Sequence, residues 1–110
     1  MTVNKEIVVG SLKELADKGY QERLWLASSG DEISSLTEAV CQLFDDSGLG
    51  DALDRNNRVY GDPVDHMLRQ LDGILRQLPR NTHPSIVIDD PKMEMVRNLA
   101  SRVLSLIDKQ

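Results

Sequence analysis

The chain has 110 residues, 13 basic and 18 acidic side chains, and a formal net charge of −5. One domain accounts for this length, and 40% hydrophobic with 28% charged residues is the composition of a globule with one core, not of a disordered tail. A net-acidic chain is a poor general binder of nucleic acid, a lone Cys41 forms no internal disulfide and fits a reducing compartment, and no run approaches the roughly 18 apolar residues of a membrane span.

Met1-Thr2-Val3-Asn4-Lys5-Glu6 has no signal-peptide pattern, so a cytoplasmic protein is expected. Val3, Ile7, Val8, Leu12, Leu15 and Ala16 then share a helical face and predict one helix over residues 4–17. Gly10 interrupts it, and Ser11-Leu12-Lys13-Glu14 offers a second start in capping-box form. After the break at Lys18-Gly19, Tyr20 to Ala27 reads as a short helix with Tyr20, Leu24 and Trp25 as core residues. Ser28-Ser29-Gly30-Asp31 reads as a loop. A second capping box, Ser35-Leu36-Thr37-Glu38, opens a helix with Ile33, Leu36, Val40, Leu43 and Phe44 on one face. That helix ends near Ser47-Gly48, where glycine accepts the left-handed conformation. Residues 48–61 read as an irregular loop with one turn of helix at most, at Asp51–Asp54.

The strongest signals lie in the second half. Asp62 as N-cap and Pro63 as first helical residue start a helix whose stripe is Val64, Met67, Leu68, Leu71, Ile74, Leu75 and Leu78, ended by Pro79. Asp65 places negative charge in its first turn. Arg80-Asn81-Thr82-His83-Pro84-Ser85 reads as a turn-rich linker. Ile86-Val87-Ile88 gives an extended segment near 85–89 that plugs apolar side chains into the core. Asp90 and Pro91 repeat the start signal for a last helix with Met93, Val96, Leu99, Ala100, Val103, Leu104 and Ile107 inside. The expected fold is all-α: a single-domain bundle, residues 1–110, of about five helical segments.

Charge is uneven. Residues 31–65 hold nine acids and two bases, a balance of −7, and the remainder is +2. Acids at helix starts and turns have local reasons to be there, and a charge run is usually a solvated face. An acidic face also attracts a basic partner, since complementary charge speeds encounter and fixes orientation. Asp45 and Asp46 are the more telling acids. They close a helix, where the dipole disfavours negative charge.

The sequence contains no complete catalytic or metal signature. In Asp45-Asp46-Ser47-Gly48-Leu49-Gly50-Asp51, Asp45, Ser47 and Gly50 match positions one, three and six of a calcium loop. Leu49 at position five has no side-chain oxygen, and Asn56 stands where the bidentate Glu belongs. Gly48-Leu49-Gly50 lacks the Lys-Ser/Thr of a phosphate loop and is surrounded by aspartates. Asp62 and His66 are four apart, but with His83 remote they make no zinc set. Cys41 has no base placed beside it, and no helix is basic enough to read DNA. No cofactor, metal, nucleic acid or membrane is expected.

Tyr20-Gln21-Glu22-Arg23-Leu24-Trp25-Leu26, Leu36-Thr37-Glu38-Ala39-Val40 and Leu43-Phe44-Asp45-Asp46 resemble a family of small, uncharacterised, mostly helical bacterial proteins, over roughly residues 10–108. The resemblance implies a bacterial, cytoplasmic, all-helical domain and transfers no catalytic residue. In size and charge alone the chain is also similar to the immunity proteins that neutralise secreted toxins. The expectation is a non-enzymatic protein-binding module of immunity type. Its acids Glu38, Asp45, Asp46, Asp51 and Asp54 would cover the basic active-site surface of a toxin such as a nuclease. The alternative is a small regulatory or structural helical domain, including a homodimer, in which the acids confer solubility.

Overall fold

A computed structural model describes residues 3–25, 35–55, 58–78 and 84–107. Helix accounts for 84% of the described residues, and none of them lies in a strand. The order is α1 (Lys5–Ala16), α2 (Lys18–Tyr20) continued by π-helical winding over Gln21–Trp25, α3 (Ser35–Cys41) continued by π-helical winding over Gln42–Asp46, α4 (Leu49–Asp54), α5 (Val64–Gln77), α6 (Pro84–Asp89) and α7 (Pro91–Ile107). Five of these helices run to seven residues or more, which is the expected all-α bundle.

α7 is the axis of the molecule. Met93, Val96, Ala100, Val103 and Ile107 recur at three- and four-residue spacing and are all fully buried, so one continuous stripe faces inward. α1 covers that stripe from one side with Val8, Leu12 and Leu15. α5 covers it from another with Leu68, Leu71 and Leu75. Leu36, Leu43, Phe44, Leu49, Leu53, Val87 and Ile88 complete the same apolar cluster. Leu71 has no exposed surface. Leu71→Ala should therefore cost roughly 2–5 kcal/mol, the range for emptying a buried leucine site, read as a lower urea midpoint.

The helix ends follow local chemistry. The Asn4 carboxamide oxygen accepts the Ile7 amide at 3.2 Å, and α1 runs through Gly10 without a break. The second start at Ser11 is not used, and Ser11 is buried on the inner face. Gly48 has φ of 82°, the left-handed stop expected of it. Asp90 caps α7 through the Lys92 amide at 2.8 Å. Leu78, just before Pro79, has ψ of 142°, because the proline ring disfavours helical backbone in its predecessor. Residues 26–34, 56–57 and 79–83 lie outside the described residues, so the loop expected at 28–31 and most of the 80–85 linker are not described.

Four expectations are corrected. Leu24, read as a core residue with Tyr20 and Trp25, is 47% exposed. The irregular loop at 48–61 is shorter, because Leu49–Asp54 is helical and buries Leu49, Ala52 and Leu53. The extended segment near 85–89 is a helix, α6. Val87 and Ile88 enter the core as foreseen, but Ile86 is 56% exposed. Packing against α7 and Gln21–Trp25 overrides the strand preference of three β-branched residues. Lastly, Asp62 does not cap α5. The peptide bond from Asp62 to Pro63 is cis, and Pro63 sits just outside the helix. The buried Asp65 carboxylate does the organising instead. It accepts the amides of Val59 at 2.9 Å, Tyr60 at 2.9 Å and Gly61 at 3.1 Å, so the turn before α5 is fastened from inside the helix.

A second polar device crosses the core. Gln21 is fully buried. Its Nε2 donates to the Glu14 and Leu15 carbonyls at the end of α1, at 3.0 and 2.9 Å. Its Oε1 accepts from Arg97 at 3.1 Å. Arg97 also donates to the Ile88 carbonyl at 3.1 Å and to Glu94 at 2.8 Å. That last hydrogen bond, helped by the charge behind it, holds the Glu94 carboxyl below its ordinary pKa.

The Asp65 arrangement is testable against Asp62, which is exposed. Asp65→Ala leaves three amides without their acceptor and should cost roughly 2–4 kcal/mol, whereas Asp62→Ala should change stability by less than about 0.5 kcal/mol. Urea unfolding of the two variants reads the difference.

Candidate functional site

The π-helical turn Gln42–Asp46, α4 and α5 enclose a cleft of about 350 Å³ lined by Asp45, Asp51, Asp54, Asp72, Arg69 and Arg76 over a floor that includes Phe44, Gly50 and Leu53. Ser47 sets the turn that makes it. Its hydroxyl bonds the Leu43 carbonyl and accepts the Leu49 amide, and its own carbonyl accepts the Asn4 amide at 2.8 Å. α4 then folds back tightly on Phe44. A Cβ on Gly50 would lie 3.1 Å from the Phe44 carbonyl oxygen, closer than side chains ordinarily come. The missing side chain lets α4 bring Asp51 and Asp54 to the same cleft as Asp45.

α5 supplies the opposite wall. Arg69, Asp72 and Arg76 recur at three- and four-residue spacing, one face of a helix, beside the stripe that faces the core. The Arg69 guanidinium donates to the Leu53 carbonyl at 3.4 Å. Arg76 pairs with Asp72 at 3.1 Å. The hydrogen bond and charge of Asp72 raise the Arg76 pKa above its ordinary value, and Asp54 adds to the effect from across the cleft. Asp51 pairs with Arg55 at 3.2 Å along α4. Among the described residues neither Asp45 nor Asp46 forms an ion pair.

Of the five acids singled out from the sequence, Asp45, Asp51 and Asp54 meet in the cleft. Asp46 is exposed beside it but does not line it. Glu38 is exposed on α3 and belongs to a different neighbourhood. There it adds to the rise in the Tyr20 pKa, which burial and then Glu14 chiefly cause. Sequence reasoning missed Arg69, Asp72 and Arg76, which lie between the apolar positions of α5. Their common spacing is the signal that marks them as one face.

Charged side chains of both signs line the cleft. Among the described residues no group of three potential ligands is placed to hold a metal ion. Ser47, the third calcium-loop position, is buried and bonded within the turn, and the residues after Gly48 are helical. Asp62 lies outside α5, so Asp62 and His66 do not share a helical face. Cys41 is a half-buried free thiol, and among the described residues no helix is long and apolar enough to cross a membrane. The chain matches no protein-family model, no curated protein and no solved structure.

Two arginines stand among the carboxylates and oppose a free divalent cation. Millimolar calcium should therefore raise the thermal midpoint no more than sodium chloride of equal ionic strength. A specific, saturable rise that disappears in Asp45→Ala would show a site.

Proposed function

We propose that this chain is a non-enzymatic, cytoplasmic protein-binding module of the immunity-inhibitor type, whose acidic cleft receives a basic surface of a partner. The observation that carries the reading is the convergence of Asp45, Asp51, Asp54 and Asp72 on one concave surface from three separate elements. A nuclease toxin must present Lys and Arg to phosphate, and an array of carboxylates occupies such a surface as a phosphate mimic. Arg69 and Arg76 add a second role. Arg76 holds the Asp72 carboxylate in place before binding, Arg69 is anchored on the Leu53 carbonyl, and both give the partner's acids somewhere to go, which favours one orientation over others. The likeness to immunity proteins in size and charge points the same way; the resemblance to small helical bacterial proteins supports a cytoplasmic helical domain and no more.

Asp45 and Asp46 provide the test. Both are exposed at the end of a helix, where negative charge is locally unfavourable, so Asp45→Asn with Asp46→Asn should leave the protein as stable as before or slightly more so. The same change should slow association with the basic partner recovered from the cells that make this protein. It should also flatten the dependence of that rate on ionic strength, because steering by charge is what salt screens. Recovery of no basic partner, or equal rates and equal salt slopes for the two proteins, would refute the proposal.

A further inference from the structure

We draw no further inference here: the strongest candidate, the groove between α5 and α7 that Gln70, Ile74, Met95, Leu99 and Arg102 line, is an unpartnered apolar face, and nothing in the structure shows what covers it.

Discussion

The burial of one face of α7 along its whole length is the constraint on which the rest of the architecture depends. Five residues of that face are fully buried, and neither α1 nor α5 covers the stripe alone. Two antiparallel or crossing helices offer each other only one apolar strip, so a third is required before the stripe is dry. Once α1 and α5 are seated on α7, α3 and the turn that follows it close against α1, and α4 packs on that turn. Ala100, at the middle of the stripe, is fully buried.

The same arrangement explains how a short chain presents two unlike surfaces. A helix buried on a single stripe still has most of its circumference free. α5 spends one part on alternating charges and another on amides, a glycine and an isoleucine. The charged part becomes a cleft only because α4 folds back against Phe44, and the uncharged part becomes a groove only because α7 lies alongside. Both surfaces thus depend on more than one element, three for the cleft and two, α5 and α7, for the groove lined by Gln70, Ile74, Met95 and Leu99, and the floor of the cleft, Phe44 and Leu53, is part of the core.

This is also why the fold was more legible in the sequence than the site. The stripes of α5 and α7, the Asp90 cap and the Gly48 stop are local patterns of three to four residues, and the structure reproduces them. Ile86-Val87-Ile88 was misread because its β-branched composition speaks for extended backbone, and only the neighbours supplied by α7 and residues 21–25 reverse that preference. Asp62 was preferred over Asp65 as the organiser of the α5 start because sequence position favours the residue before the proline. The three amides that Asp65 binds belong to a turn whose path no spacing rule foretells. Asp45, Asp51 and Asp54 were identifiable as acids, but their assembly with Asp72 and separation from Glu38 depend on the packing of α4 at Gly50.

Arg97 carries a consequence of another kind. Its guanidinium is nearly enclosed, and its acceptors come from three places: Gln21, 76 positions earlier in the chain, the Ile88 carbonyl, and Glu94 on its own helix. The leucine, valine and methionine side chains around it are tolerant of one another, so a stripe displaced along its neighbours by one helical turn would still bury hydrocarbon. Such a slipped packing would take the buried cation away from Gln21 and the Ile88 carbonyl and leave it only Glu94 of its own helix, at a cost of several kcal/mol. One arginine thereby favours a single register in a greasy and otherwise forgiving core, and ties the first third of the chain to its last helix.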